Sequence, residues 1–465
     1  MTTINSTGLL EPQIPHVKTL VDSLYLNGFA VDTSETGTGK MYCGAAVARE
    51  MNVPFVVLCP KAVIVQWEEV LKIFNIVPKA LINFERLGRG KTKWMKWKKM
   101  PDPSNPFKKD ELVEMPWFTF PQNALIVVDE GHRCKGVNTT NSWMMVALKA
   151  QGYRVVVSSA TIACSPLEMK AFGYLSNMHK LYNFNDFCRM HGAMWTGRWG
   201  AMTWTMNCPE ATKAMQELHN YLFKTTKSTS RMTVEQFGKL FPESHIVAKA
   251  FDLGANENKL ISVYDEMEAE LAKLEDRCAR YREHVFAIMM KARRLAELYK
   301  VPLFVQMAED LYDEGKSVVI FVNFEDSVDS IFGRLVKSKK IDESEIGFII
   351  GGQSAKARDA DIKAFNGDRK RILIVNMAAG GTGISLHDLN GKFPRASIIS
   401  PNWSAQNLRQ ALGRVWRQGG LTKSYQAIVY GAKCIEESIC RRVQAKLNNL
   451  DTLNDGDLAE HLDLL

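Results

Sequence analysis

A chain of 465 residues suggests two or three domains, and its 46% hydrophobic content excludes a disordered polymer. It carries no apolar run of about eighteen residues to span a membrane, no basic-then-apolar leader in Met1–Ser6 and no Cys-x-x-Cys pair among nine scattered cysteines, which argues against a disulfide framework and a structural zinc site. The net charge of +8 is modest, so its distribution matters more than its size.

Short β-branched runs alternate with helix-like stretches, the pattern of parallel sheets covered by helices. Early in the chain, Ser34-Glu35-Thr36-Gly37-Thr38-Gly39-Lys40 reads as a phosphate-cradling loop. Gly37 and Gly39 let backbone N–H groups approach phosphate closely, and Lys40 reaches the β- and γ-phosphates as a point charge. Two positions depart from the usual loop: Ser34 stands where Gly is common, and Met41 where Ser or Thr gives a hydroxyl to Mg²⁺. A thioether is a poor ligand for a hard cation, so weaker Mg²⁺ binding is expected.

A strand is predicted over Phe55–Cys59. Between Arg86 and Lys99 lie Arg86, Arg89, Lys91, Lys93, Lys96, Lys98 and Lys99, with no acid and with Trp94 and Trp97 interleaved. Such a run can track phosphates while its rings stack on bases. The plain alternative is a solvated loop whose tryptophans pack on the body of the protein. Pro101, Pro103 and Pro106 mark a loop after it. The next strand, Ala124–Val128, delivers Asp129 and Glu130 at its carboxyl end. Asp129 is placed to hold Mg²⁺, and Glu130 to orient and deprotonate an attacking water. A further strand covers Arg154–Ser158.

Residues 181–250 are rich in Met and aromatic side chains and do not alternate cleanly, which predicts an insertion. Residues 257–300 have heptad-like apolar spacing with neither Gly nor Pro, which predicts long helices. A second series of strands follows at Ser317–Val322, Arg371–Val375, Ala396–Ile399 and Tyr425–Tyr430. Gln410–Arg417 reads as a helix whose Arg414 and Arg417, three apart, share a face and can grip phosphates. The segment Asp451–Leu465 has five acids and no Lys or Arg, and is expected to be solvated, with Leu458, Leu462, Leu464 and Leu465 available for docking.

In order, these stretches resemble the superfamily 2 helicases and translocases, above all the SWI/SNF-type branch and the compact phage helicases related to it. Leu10–Gln13 with His16-Val17 resembles the adenine-reading glutamine motif. Leu58–Lys61 with Gln66-Trp67 resembles motif Ia, and Ile82–Leu87 resembles motif Ib. Asp129–Lys135 is similar to the family's Asp-Glu-x-His-Arg-x-Lys, and Ser158–Thr161 to motif III. Ala379–Ile384 resembles motif V. Pro401-Asn402-Trp403, leading to Gln410 and the two arginines, resembles motif VI with its approach. Phe241-Pro242 after Arg231 resembles the segment closing the extension of the first lobe. The resemblance runs over residues 10–430.

The resemblance implies an α/β fold of two RecA-like lobes, each a parallel sheet flanked by helices. Lobe 1 is expected over 1–180, a helical and irregular insertion over 181–250, lobe 2 with its helical lead-in over 251–450, and an acidic tail over 451–465. ATP and Mg²⁺ are the implied cofactors. Gln13, Thr36, Gly37, Thr38, Gly39, Lys40 and Met41 surround the nucleotide, Asp129 holds the metal, and Arg414 and Arg417 act as arginine fingers. Lys61, Asn323 and Thr382 are expected on the nucleic-acid track, joined by Lys93, Trp94, Lys96, Trp97 and Lys98 of the basic run. The resulting expectation is a DNA-dependent ATPase motor, a helicase on forked, branched or duplex DNA in replication, recombination or repair. It would meet replication or recombination proteins in the cytoplasm, or in the nucleus of a eukaryote, and would not be secreted. The alternatives are a double-strand translocase that separates no strands, a nucleotide-sensing DNA-binding module with a degraded ATP site, and a motor that uses RNA.

Overall fold

The computed structural model describes residues 8–455 apart from 91, 109, 111, 197–200, 207, 252, 274–280, 381–383, 402–403 and 432–434. The chain divides into two compact units. The first runs to Gly238 and takes in a C-terminal segment from Ala445; the second is Lys239–Gln444.

Unit 1 holds strands β1 (Phe29–Asp32), β2 (Phe55–Cys59), β3 (Ala80–Asn83), β4 (Met95–Pro101), β5 (Leu112–Phe118), β6 (Leu125–Asp129), β7 (Arg154–Ser158), β8 (Met194–Thr196), β9 (Ala201–Thr203) and β10 (Thr229–Ser230). Six of them form one sheet in the order β10-β1-β7-β6-β2-β3, with every pair parallel. Every residue of β1, β2 and β6 is buried, because helices cover both faces. The register sets Asp32 opposite Ser158 and Ser158 opposite Asp129. The carboxyl ends of β1, β7 and β6 thus present one polar row beyond an apolar core of Val31, Val128, Val157 and their neighbours.

The basic run is not a loop. Its second half is β4, paired antiparallel with β5 from Met95 opposite Phe118 to Pro101 opposite Leu112. The register sets Pro116, which has no N–H to give, opposite Trp97 in this two-stranded ribbon. The prolines after Pro101 fill the connection between the two strands.

Unit 2 contains β11 (Ser244–Ala250), β12 (Ser317–Val322), β13 (Ile346–Ile349), β14 (Ile372–Asn376), β15 (Arg395–Ile399) and β16 (Ser424–Tyr430). They form a second wholly parallel sheet, ordered β11-β16-β15-β12-β14-β13. Residues 181–250 are therefore shared out. Up to Gly238 they belong to unit 1, whereas Ser244–Ala250 are an edge strand of the second sheet. The helical stretch forms Glu257–Ala272 and Tyr281–Asp313, which meet through Leu260, Val263 and Met267 on one side and Ala292 and Ala296 on the other. The last helix, Ile435–Asp455, gives its first half to unit 2 and its second to unit 1.

Candidate functional site

The polar row of unit 1 begins with the loop that leaves β1. Gly37 and Gly39 have φ of 94° and 89°, the left-handed region that side chains with a Cβ avoid. At Gly39 a methyl group would also overlap the amide of Gln13. That amide donates to Thr38 O at 2.9 Å, while Gln13 Oε1 accepts from Leu10 N at 2.8 Å. The buried glutamine thus braces the loop from behind. Thr38 Oγ1 donates to Glu35 O at 2.8 Å, and Thr36 is half-buried. Lys40, the first residue of helix Lys40–Met51, curls its ammonium back onto Ser34 O (2.8 Å) and Glu35 O (2.9 Å), which keeps it over the loop.

Ser34 has a structural use for its hydroxyl. Its Oγ accepts from Met232 N at 3.0 Å, and its N–H donates to Asp32 Oδ1 at 2.9 Å, tying the loop to the segment after β10. Burial works against the Asp32 carboxylate, yet the His16 ring, Lys40 and Ser34 outweigh it and hold the group below the usual range. His16 Nε2 lies 3.3 Å from Asp32 Oδ1, and its Nδ1 lies 2.7 Å from Ser230 Oγ. Glu35 accepts from Val234 N at 2.7 Å and pairs with Arg231 at 3.4 Å.

Across the row, Asp129 ends β6 in a fully enclosed position. Its Oδ2 accepts from the indole of Trp67 at 2.9 Å and its Oδ1 from Glu130 N at 2.9 Å. Burial and the adjacent Glu130 carboxylate push it up to about 7, against the pull of Trp67 and Lys40. Glu130 adopts φ 55°, uncommon for a residue with a side chain. That turn directs its carboxylate to His132, whose Nδ1 lies 3.2 Å from Glu130 Oε2 and 3.3 Å from Ser159 Oγ. Gly131 is required by space: a methyl group there would overlap Val157 Cγ1 on β7. Farther along, Arg133 Nη1 meets Glu85 at 3.0 Å and Lys135 meets Glu168 at 2.7 Å, which lashes the Asp129–Lys135 segment to its surroundings.

The donor set fits a hard divalent cation held chiefly by phosphate oxygens. Asp129 supplies a carboxylate beside a second carboxylate, while half-buried Met41 offers only sulfur. Sequence reasoning named Trp67 only within a motif; the signal for its role is that a buried tryptophan needs an acceptor for its N–H. Glu35, Arg231 and Glu297 carried no such signal, because their partners are distant in sequence.

In unit 2 the expected helix bearing two arginines stops early. It spans Ala405–Val415, and Trp416 is extended at φ −122°, ψ 109°, so Arg417 lies beyond the helix and does not share a helical face with Arg414. The backbone turns because the indole of Trp416 donates to Pro242 O and its ring sits edge-on to Phe241 at 5.3 Å. Arg414 is buried, with Nη1 donating to Ile384 O at 3.3 Å. Arg417 donates from Nε to Gly413 O (3.0 Å) and from Nη1 to Ser385 Oγ (2.9 Å). Asn323 is committed within its own unit: its backbone N–H and its side-chain amide both donate to buried Glu297. Thr382, with Gly381 and Gly383 of the same motif, lies outside the described residues, as do Lys91, Asn402, Trp403 and the leucines after Asp455.

Beside the β4–β5 ribbon, Trp94 just before β4 packs against Phe120 just after β5 at 5.6 Å, with the Lys93 ammonium 4.6 Å from its ring. Trp97 donates to Gly88 O at 3.3 Å yet stays 37% exposed, and Lys98 sits 3.9 Å above the Trp117 ring. Lys93, Lys96, Lys98 and Lys99 are exposed, as is Lys61 after β2. Among the described residues, no helix is long and apolar enough to cross a membrane.

Residues 298–419 match the family model described as "Helicase conserved C-terminal domain". A protein of Acanthamoeba polyphaga mimivirus named as an ATP-dependent RNA helicase is 32% identical over 473 aligned residues, covering 98% of this chain and 85% of that protein. A Drosophila erecta protein named "DNA repair and recombination protein RAD54-like" is 28% identical over 149 residues, 31% of this chain and 18% of its own length. Among solved structures, S. cerevisiae Dbp5 bound to RNA and ADP BeF3 aligns over 98% of this chain and 97% of its own, with 12% identity and a TM-score of 0.46.

Proposed function

The chain belongs to the superfamily 2 helicases and is an ATP-hydrolysing enzyme, and from that premise we propose a motor that tracks along DNA, nearest to the SWI/SNF-type branch. The observation that carries the reading is the row Asp32, Ser158, Asp129 at the carboxyl edge of one sheet, bordered by the Gly37–Lys40 turn and by Glu130. A glycine turn, a lysine and two carboxylates at such an edge are the parts that phosphoryl transfer from ATP needs. Gln13 supports the loop, Lys40 takes the phosphates, and Asp129 would hold Mg²⁺, which when bound neutralises phosphate charge. Glu130, oriented by His132, accepts a proton from the attacking water. Arg414 and Arg417 are guanidinium groups of the kind that would suit phosphate oxygens as they gain charge.

DNA is favoured by the RAD54-like likeness and by the exposed lysines and tryptophan of the β4–β5 ribbon, which suit phosphates and base faces. Lys61 in unit 1 is a further proposed nucleic-acid contact, and so, in unit 2, are Thr382 and Asn323, whose amide is held by Glu297. Forked or branched DNA in replication, recombination or repair is the proposed substrate, and translocation on duplex without unwinding is the nearest rival. RNA is the second reading, favoured by the printed name of the mimivirus relative.

The deciding experiment is steady-state ATPase with single-stranded, duplex, forked and four-way DNA, and with RNA of matched length. DNA is the track if it stimulates turnover and RNA does not compete; preferential stimulation by RNA overturns this. Changing Lys93, Lys96 and Lys98 to Gln should lower the salt slope of binding by about one for each phosphate that a lysine no longer neutralises. An unaltered slope removes the ribbon from the track.

A further inference from the structure

Arg231, just after β10, takes no part in the chemistry assigned to the loop and the carboxylates, yet it is nearly enclosed, with 7% of its side chain exposed. Its guanidinium makes three kinds of contact. Nη1 donates to Thr33 O at 2.7 Å, on the backbone that leads into the phosphate loop. Nη2 lies 3.4 Å from Glu35 Oε1, within the loop itself. Nε and Nη2 grip the carboxylate of Asp455, the second at 2.9 Å, at the end of the last helix. That helix end is anchored to unit 1 independently. Leu453 lies in the sheet core, its carbonyl meets His219 Nδ1 at 2.9 Å, and Asn454 donates to Ala160 O at 3.2 Å.

The arrangement addresses an electrostatic problem. Glu35 places a carboxylate, 30% exposed, in the loop that must receive a polyphosphate, and like charges repel. Its Oε2 accepts from Val234 N at 2.7 Å, and its Oε1 is faced by the Arg231 guanidinium. A planar guanidinium held bidentately by Asp455 cannot swing toward the phosphates or out to solvent.

We propose that Arg231, aimed by Asp455, is a positioning residue for nucleotide binding. It neutralises Glu35 and fixes the Thr33–Glu35 backbone, so that the last helix determines how tightly the loop holds ATP. The proposal rests on the loop being the ATP site.

The test combines ATP KM and kcat with the affinity for a fluorescent ATP analogue, in the full chain. Arg231→Met should raise KM and the analogue Kd about tenfold while kcat changes little. Asp455→Asn should move both the same way by about threefold. Adding Glu35→Gln to Arg231→Met keeps an acceptor for Val234 N but removes the unpaired charge, and should return KM to within about threefold of the parent. A purely structural role for Arg231 would not be rescued by that second change. If Arg231→Met does not fold, Asp455→Asn with and without Glu35→Gln gives the same comparison. Unchanged KM in Asp455→Asn, or no recovery on adding Glu35→Gln, overturns the inference. Lys40→Ala separates the two levels: normal analogue binding in Lys40→Ala sinks the phosphate-loop reading itself. Lost binding there with normal binding in Arg231→Met sinks only the role of Arg231.

Discussion

The two units are built alike and finished differently. Each is a six-stranded parallel sheet whose central strands are buried, among them β1, β6, β12 and β14. In unit 1 the strand ends open into strained or glycine-dependent backbone: Gly37, Gly39, Glu130 and the sterically forced Gly131. In unit 2 the two arginines proposed to meet phosphate lie on packed side chains. Arg414 leans on Ile384 O, and Arg417 on Gly413 O and Ser385. Anion binding needs backbone N–H groups brought close, which demands special dihedrals, whereas a guanidinium reaches its target on a long side chain and needs only to be aimed. The same kind of sheet thus carries both sets of proposed groups, and the difference rests with the segments that follow the strands.

The comparison predicts where each unit is vulnerable. Glu130→Gln, in unit 1, should cut stimulated ATPase by about 10²–10⁴-fold while leaving thermal stability and nucleotide affinity near the parent values. Substantial residual turnover would reassign the base.

The sharpest prediction for unit 2 concerns acid. Burial, with Arg417 and Arg395 nearby, pushes His387 down to about 4. The unfolded chain protonates this histidine near its ordinary value of about 6.5, so acid favours unfolding. Stability from this group is complete above that value and drains away as pH falls toward 4, by roughly 3 kcal/mol in total. Urea unfolding from pH 7 to pH 4 should show the loss, and His387→Gln should flatten that part of the curve.

Gly131→Ala tests the tight turn of unit 1. The added methyl group meets Val157, and about 1–3 kcal/mol of stability should go, with ATPase falling as Glu130 is displaced. Val157→Ala in the same chain should restore part of both; an unaffected Gly131→Ala would show that the turn relaxes at little cost. The smallest effect is expected at Met41. Met41→Ser offers a hydroxyl to the metal and should lower the Mg²⁺ concentration for half-maximal ATPase by about threefold to tenfold. Superimposable titrations would show that Met41 does not face the metal.

Much of the fold was legible because parallel strands buried on both faces leave continuous apolar runs. The predicted Phe55–Cys59, Arg154–Ser158 and Ser317–Val322 coincide with β2, β7 and β12. Other strands were missed: Phe29–Asp32 and Ile346–Ile349 are runs of only four residues, and the edge strands β10 and β11 carry no apolar run. Thr229–Ser230 is two residues of a polar stretch, and Ser244–Ala250 mixes Ser, His and Lys with its apolar residues. The hairpin was hidden for another reason: charged and aromatic residues crowd the exposed positions of β4, so no period of two survives. The helix ending at Val415 could not be read either, since what stops it is Trp416 meeting Phe241 and Pro242, some 174 residues away.

Composition and local pattern alone pointed to apolar strands in both halves, a glycine loop, a carboxylate pair at a strand end and a later arginine segment, because those signals are carried by neighbours in sequence. Only tertiary structure decided that Trp67 holds Asp129, that Glu297 claims Asn323 and that Arg231 stands between Glu35 and Asp455. Such partners meet across tens to hundreds of residues, and a charged or polar side chain does not announce in sequence which distant group will satisfy it once both are buried.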